Sequence, residues 1–201
     1  MREYLSWLVL GMGMIVGGAS ALGADSTAVA GGNGSAVVAA GNVSAAAPVA
    51  GVSYSPKQLA ALGAVTQAEC AASAALAGED WAAWEKARTG LFNALMGLNA
   101  VFSGEAFQGA VKGAVAAWAG LQQAGDMTHA RSAFVKVSDN IAQVVWLAKA
   151  GDPALGKVVV YYCPMTSEPA DGRWVQSAPP LQNPFWGKDM RDCGAEYKPG
   201  N

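Results

Sequence analysis

The chain of 201 residues contains one histidine, three cysteines and few charged side chains, and each scarcity excludes a class of function. Its 13 basic and 15 acidic residues are spread without a basic run, so no phosphate-binding surface is expected and nucleic acid is excluded as a partner. The single histidine, His129, is poorly placed for a Ser-His-Asp set, and no glycine-rich nucleotide loop follows a strand. We therefore expect a protein that is not an enzyme.

Residues 1–21 have the pattern of a secretory signal peptide. Arg2 is the one basic residue of a short polar start, residues 8–16 are apolar or glycine, and small residues lead to Ala-Ser-Ala at 19–21. The alternative is an uncleaved membrane anchor, which needs about 20 apolar residues to cross a bilayer. The glycines in this stretch favour cleavage. We predict an exported, periplasmic or cell-envelope protein with no membrane span after the signal.

Residues 22–53 are almost wholly glycine, alanine, serine, valine and asparagine. The segment has one charge, at Asp25, and no aromatic residue. Such a composition buries too little apolar surface to offset the entropy that a chain loses when it becomes ordered. We predict a flexible Gly/Ala/Ser-rich linker that leads to a folded domain beginning near Tyr54.

Four amphipathic stretches occupy residues 54–150, each with a stripe of apolar residues at spacings of three and four. The first opens with Ser55-Pro56-Lys57-Gln58, which is typical of a capping box with proline at the first helical position. Its stripe consists of Leu59, Leu62, Thr66, Cys70, Ser73 and Leu76. Long helices joined by short connections pack best as antiparallel neighbours. The predicted fold is all-α: an up-down four-helix bundle at 54–150, with an irregular C-terminal tail at 151–197 packed on it.

The tail carries four sulfur-containing side chains in two close pairs, Cys163 with Met165 and Met190 with Cys193. Residues two apart share a face of an extended segment, and residues three apart share a face of a helical turn. The sulfur atoms of each pair can therefore converge. Thiolate and thioether ligands favour Cu(I) over hard cations. The four residues form a candidate soft-metal site, with Cu(I) as the possible ion.

A disulfide between Cys163 and Cys193 is the alternative, and it stays open. Exported proteins form disulfides readily. Closing a loop of about thirty residues would stabilise the domain by roughly 3 to 4 kcal/mol in the chain-entropy model. Met165 and Met190 would then fill gaps in the packing. Reduction would free both cysteine sulfurs for a metal, so the two interpretations exclude each other only while the thiols are oxidised.

Several residues in the tail occur at spacings that are characteristic of a known family. They are Cys163-Pro164-Met165, Trp174, Asn183-Pro184-Phe185-Trp186-Gly187, Met190 and Cys193-Gly194. With these residues the chain resembles an uncharacterised family of exported bacterial domains, found alone or fused to adaptor subunits of copper and silver efflux systems of the RND type. The stretch 131–138 is similar to the last bundle helix of that family, so the resemblance covers about residues 57–195.

The resemblance implies a periplasmic helical domain associated with heavy-metal handling, with its sulfur ligands at the four cysteine and methionine positions of the tail. It also implies a heavy-metal efflux adaptor or another membrane complex as the possible partner. Many relatives have a histidine directly before the Cys-Pro-Met sequence, whereas this chain has Tyr162. The substitution removes one nitrogen ligand from the implied site.

Two tail tryptophans, Trp174 and Trp186, are expected either to shield a metal site or to pin the tail to the helices, and pinning is favoured. The tryptophans at helical spacing are expected in the core. These are Trp81, Trp84, Trp118 and Trp146.

Three polar positions and one cysteine have simpler interpretations. His129 is expected to be solvated or to cap the first turn of the fourth helix. Glu79 and Asp80 are expected at a helix start, where the helix dipole favours carboxylates. Cys70 lies on an apolar stripe and is predicted to be a buried free thiol.

Overall fold

The computed structural model describes residues 52–102, 105–166, 172–177 and 179–198. The predicted signal peptide at 1–21 and all but the last two residues of the predicted linker at 22–53 lie outside these ranges. Within them the chain forms four long helices, followed by a small antiparallel sheet. The helices are α1 (Pro56–Gly78), α2 (Trp81–Val101), α3 (Glu105–Gln122) and α4 (Met127–Ala148). The prediction of a mostly helical domain is confirmed.

Short polar caps determine where three of the helices begin. The predicted capping box at α1 is confirmed, because the Ser55 side chain accepts from the Gln58 amide while the Gln58 side chain accepts from the Ser55 amide. Asp80 caps α2 and Asp126 caps α4, each through a carboxylate oxygen that accepts a backbone N–H at 2.9 Å. Each such cap stabilises a helix by about 1 kcal/mol. Asp80 lies two residues after the end of α1, and Asp126 lies four residues after the end of α3, so these two connections are short.

The helices pack most extensively in two consecutive pairs, α1 with α2 and α3 with α4, while α1 also contacts α4 and α2 contacts α3. Their shared core is aliphatic and aromatic, and the large side chains within it are fully buried. It includes Leu62, Leu76, Trp84, Leu91, Leu95, Leu98, Leu121, Phe134 and Ile141. Trp84 and Trp118 are buried as predicted, and Trp81 and Trp146 are partly buried against this core.

The inward face of α1 differs from its predicted stripe in two places. Leu59 is 37% exposed and lies outside the core. Glu69 is completely buried between Thr66 and Ser73, at the level of the helix where the predicted stripe has the half-buried Cys70. By length and composition α1 is the one helix among the described residues that could span a membrane. The core helix of a folded domain passes the same test, and α1 packs against α2, α4 and the sheet.

The tail contains regular structure, so the prediction of an irregular tail in an all-α fold was wrong in this respect. Strands β1 (Val159–Tyr162), β2 (Arg173–Gln176) and β3 (Ala195–Glu196) form an antiparallel sheet in the order β2-β1-β3. Strands of two to four residues are too short to show a period-two pattern in the sequence. Their pairing also depends on partners far away along the chain.

Side chains of α4 cover one edge of this sheet. In an antiparallel ladder alternate residues point their N–H and C=O groups away from the partner strand. Arg173 is such a residue on β2, and its carbonyl accepts from the Ser138 hydroxyl at 2.8 Å. Its guanidinium forms a two-pronged ion pair with Asp139, at 2.7 and 2.9 Å. The ion pair is largely buried and fixes β2 on α4.

Side chains of α1 cover the rest of the same edge. The Cys70 thiol donates to the Val175 carbonyl at 3.6 Å, and the adjacent Glu69 carboxyl is hydrogen-bonded to Ser138. We call Glu69, Cys70, Ser138 and Asp139 the edge clasp, because these four side chains take the place of a fourth strand. Unpaired sheet edges invite further strand pairing. The edge clasp closes this edge and joins α1, α4 and β2 in one polar cluster.

Candidate functional site

Cys163 and Cys193 are brought together by the pairing of β1 with β3. Cys163 directly follows β1, Cys193 lies two residues before β3, and the two strands pair Tyr162 with Ala195. The two Sγ atoms are 3.4 Å apart, which is a thiol–thiol hydrogen bond. Cys163 is completely buried and Cys193 is half-buried. We call these two residues the thiol pair; both carry free thiols.

Each member of the thiol pair shares a tight turn with one of the candidate methionines. The Cys163 carbonyl accepts from the Thr166 amide at 3.2 Å, so Met165 lies inside that turn. The Cys193 amide donates to the Met190 carbonyl at 3.1 Å and closes the second turn. Met165 is 57% exposed, whereas Met190 is half-buried. Both predicted sulfur pairs are therefore local turns, and the two turns meet at the cysteines.

The pKa of Cys193 is raised, first by its hydrogen bond with Cys163, then by burial and by the charge that Cys163 carries when ionised. A thiolate at Cys193 is therefore disfavoured in the metal-free protein. Metal ligation requires thiolates. Binding of a soft metal at the thiol pair would therefore release protons and weaken at low pH.

Cys70 is a separate thiol with a different environment. Burial, followed by the neighbouring Glu69 carboxyl, raises its pKa to about 11. A thiol whose pKa is raised mainly by burial in the core is unreactive at neutral pH, and Cys70 has no second thiol beside it among the described residues. The prediction of a free thiol is confirmed, although the residue is half-buried rather than fully buried.

Trp174 packs in the interior between two other aromatic rings of the tail. Its ring stacks on Tyr161 at 5.5 Å between centroids and meets the Phe185 ring edge-on at 5.6 Å. A Cβ atom placed on Gly194 would lie 2.8 Å from the Trp174 ring, so this ring covers the backbone next to Cys193. Trp174 is completely buried, and its contacts with Tyr161 and Phe185 make it part of the core to which the tail is attached.

Trp186 is 37% exposed, and the neighbouring Phe185 is the buried aromatic residue of this loop. Phe185 continues a row of rings that runs from α2 through α4 into the sheet. We call it the aromatic row: Trp84, Phe134, Phe185, Trp174 and Tyr161. Sequence reasoning missed Phe185 because two adjacent aromatic residues in a loop do not reveal which of them points inward.

The loop from Asn183 to Cys193 is held closed by Asn183 itself. Its side-chain oxygen accepts from the Phe185 amide at 2.8 Å and from the Trp186 amide at 3.3 Å. Its side-chain nitrogen donates to the Cys193 carbonyl at 2.8 Å. The Asn183 backbone N–H donates to the Arg191 carbonyl at 2.7 Å. The asparagine is completely buried, so these bonds are shielded from water.

The same loop docks on the helices through Glu79, which the sequence analysis placed at a helix start. Glu79 instead follows the end of α1 in the left-handed conformation and forms ion pairs with Arg131 and Lys188. Hydrogen bonds from Lys188, and then from Arg131, lower its pKa to about 2. Gly187, at φ +55°, lies against the Arg131 guanidinium, where a Cβ atom would overlap it. Glycine is therefore required at this point of the loop.

His129 is exposed in the first turn of α4, as predicted, with its Nδ1 atom 2.7 Å from an Asp126 oxygen. In the part of the chain that the structure describes, no group of three or more His, Cys, Asp or Glu side chains could hold a metal ion. Comparison of the chain with family models, curated proteins and solved structures finds no match.

Proposed function

We propose that the protein is an exported soft-metal-binding protein that holds Cu(I) at the reduced thiol pair. The observation that supports this most directly is the 3.4 Å separation of Cys163 Sγ and Cys193 Sγ, each in a turn that also contains a methionine. Two thiolates and two thioethers are a soft ligand set. The protein would sequester the ion or pass it to a heavy-metal efflux adaptor or membrane complex, the partner that its tail resemblance implies.

The spacing of the thiol pair suits a metal after a small adjustment. Two sulfur ligands about 2.3 Å from one ion, as thiolates bind zinc, lie about 3.8 Å apart in tetrahedral geometry and about 4.6 Å apart in linear geometry. The observed 3.4 Å is a few tenths of an ångström short of the first value. A modest side-chain rotation at the half-buried Cys193 supplies this change, while Cys163 stays fixed inside the core.

The scaffold that we propose for this site is an up-down four-helix bundle with the sheet attached to one side. Consecutive helices contact each other around a closed ring, because α1 also packs on α4. The exposed Met165 lies in the turn that follows the buried Cys163, so one ligand of the site faces solvent. Such a ligand gives incoming copper a first point of attachment and gives outgoing copper a point of transfer.

We expect the reduced protein to take Cu(I) from a competing chelator in a spectroscopic titration. Cys163→Ser and Cys193→Ser should each weaken Cu(I) binding by more than about 100-fold, the upper range for loss of an outer-shell contact. Cys70→Ser is the matched control, since its thiol bonds the Val175 carbonyl, and it should leave the affinity unchanged. Helix content measured by circular dichroism should be retained in all three variants.

The proposal is wrong if the parent protein does not compete for Cu(I). An equal loss of affinity in Cys70→Ser would also contradict it, because copper would then bind exposed or unfolded thiols generally. Met165→Leu and Met190→Leu provide a graded check, with smaller losses of about tenfold expected for supporting ligands.

The second candidate is a disulfide-stapled helical interaction module without a metal role. The same distance favours it, because the sulfurs at 3.4 Å need to approach by about 1.4 Å to reach a disulfide bond of about 2.05 Å. In this case mass mapping of the protein isolated without reductant should show a complete Cys163–Cys193 bond. The bond should survive millimolar glutathione. Fully free thiols in freshly isolated protein would exclude this candidate.

A further inference from the structure

The buried Asn183 side chain forms three hydrogen bonds in the tail, and one of them reaches the Cys193 carbonyl of the thiol pair. Its amide nitrogen donates to the Cys193 carbonyl, and its amide oxygen holds the start of the loop through the Phe185 and Trp186 amides. Because the side chain is completely buried, water cannot replace these bonds if they are lost.

The backbone of each cysteine is anchored on both sides, but by different means. Cys163 donates its N–H to the Gly172 carbonyl across the β1–β2 pair, and its carbonyl accepts from the Thr166 amide and hydroxyl within its own turn. Cys193 donates its N–H to Met190, also within a turn. Its carbonyl, in contrast, is bonded by the Asn183 side chain from ten residues away. Besides the pairing of β1 with β3, the position of Cys193 relative to Cys163 therefore depends on this side chain.

We propose that Asn183 is a positioning residue that holds Cys193 Sγ against Cys163 Sγ. It thereby determines how readily the two sulfurs form a disulfide or bind the same metal ion. The inference rests on the proposed function in one respect: it takes the thiol pair as the functional site of the protein. It applies equally to a disulfide and to a metal, since both need the two sulfurs at a fixed separation. Other contacts of the loop, such as Gly187 with Arg131, attach the loop to the helices without bonding a cysteine.

Thiol–disulfide exchange with glutathione measures this positioning without any metal. The protein dithiol reacts with one oxidised glutathione; the two cysteines lose two electrons and form the Cys163–Cys193 bond, while the glutathione disulfide is reduced. The two thiol protons pass to the two glutathione thiols that are released. The equilibrium constant has units of concentration and reports the effective concentration of one thiol at the other.

The test compares two changes of the same chemistry in the tail of the full chain. Asn183→Asp keeps the oxygen that accepts the Phe185 amide and removes the N–H donor to Cys193. Gln176→Glu is the matched control, because the Gln176 side chain accepts from the Gln182 amide and donates to the Pro180 carbonyl in a neighbouring loop. Each variant is equilibrated in glutathione buffers, and the oxidised fraction is read by thiol alkylation and mass measurement.

We expect Asn183→Asp to lower the exchange equilibrium constant at least tenfold and Gln176→Glu to change it by less than about twofold. The parent constant should lie well above the millimolar values that a flexible tether gives. Asn183→Ser, which retains a short acceptor for the Phe185 amide, serves if the aspartate variant loses its helix content.

Three results would overturn the proposal: a parent constant in the millimolar range, equal losses in the Asn183 and Gln176 variants, or an unchanged constant in a folded Asn183 variant. Failure of the proposed copper function gives a different pattern. The parent protein would then not bind Cu(I), while the exchange constants would still separate Asn183 from Gln176.

Discussion

Replacing Glu69 with glutamine is expected to remove most of the loss of stability that the protein suffers as the pH rises from about 4.5 to about 8. Burial raises the pKa of Glu69 from 4.5 to about 8, against smaller lowering effects from Ser138 and the Val175 amide. Between these two values the folded protein keeps a proton that the unfolded chain releases. Each increase in pH across this window therefore favours unfolding.

The hydrogen-bond geometry of the edge clasp independently supports a neutral Glu69. The Ser138 hydroxyl lies 2.5 Å from a Glu69 oxygen and 2.8 Å from the Arg173 carbonyl oxygen. It has only one proton, so it can donate to only one of these two oxygens. A protonated Glu69 resolves this, because the acid donates to Ser138 and Ser138 donates to Arg173. The second Glu69 oxygen is buried without a partner among the described residues, which also disfavours a charge.

Among the described residues, the groups that hydrogen-bond Glu69 are the neutral Ser138 hydroxyl and Val175 amide. On α1 its neighbour is the Cys70 thiol, and from α4 and β2 come Ser138, the Val175 amide and the Asp139–Arg173 ion pair. The Arg173 guanidinium is already engaged by Asp139 through two bonds. An ionised Glu69 would therefore stay uncompensated, and the attachment of β2 to the helices would weaken.

The expected effect is on the order of 4 kcal/mol in unfolding free energy between pH 4.5 and pH 8, since one pKa unit corresponds to about 1.4 kcal/mol. Urea unfolding of the reduced protein, followed by circular dichroism at pH 5, 6.5 and 8, measures it. Glu69→Gln should show a nearly flat profile and exceed the parent in stability at pH 8. Glu196→Gln, on the exposed strand β3, is the control and should follow the parent profile.

A parent stability that stays constant or rises between pH 5 and pH 8 would contradict a neutral buried Glu69. So would a Glu69→Gln variant that keeps the parent slope. In the second case the pH dependence would belong to other groups, and the edge clasp would have to be stable with a charged carboxylate.

The helices could be predicted from the sequence because their determinants are local. Ser55, Asp80 and Asp126 cap helices whose bounds follow from nearby residues and from stripes that repeat every three or four positions. The burial of Glu69 was not predicted, because the predicted stripe has Cys70 at this level of α1. Its neutral state could not be predicted either, because Ser138 and β2 reach it only in the folded chain.

The sequence identified the residues of the candidate site, but it could not predict their arrangement in space. The sequence placed Cys163 and Cys193 about thirty residues apart and left metal and disulfide open. Their proximity arises from the pairing of two short strands, and the position of Cys193 depends on Asn183. The Asn-Pro-aromatic-aromatic-Gly motif was visible as a pattern, but the bond from its asparagine to Cys193 is a tertiary contact.

Trp174→Ala is expected to lower the free energy of unfolding by about 3 to 5 kcal/mol, whereas Trp186→Ala should lower it by less than about 1 kcal/mol. Trp174 is completely buried in the aromatic row, while Trp186 is 37% exposed in the adjoining loop. Both changes remove the same side chain from the same tail. Their difference therefore measures burial rather than the chemistry of tryptophan.

Urea unfolding of the reduced variants at one pH gives both values, and Trp174→Phe provides a milder change if the alanine variant does not fold. The phenylalanine variant should lie between the parent and the alanine variant, because it keeps a ring between Tyr161 and Phe185. Equal losses for Trp174 and Trp186 would contradict this order. The tail would then be held by the exposed ring as strongly as by the buried one, and the aromatic row could not be the main attachment of the sheet to the helices.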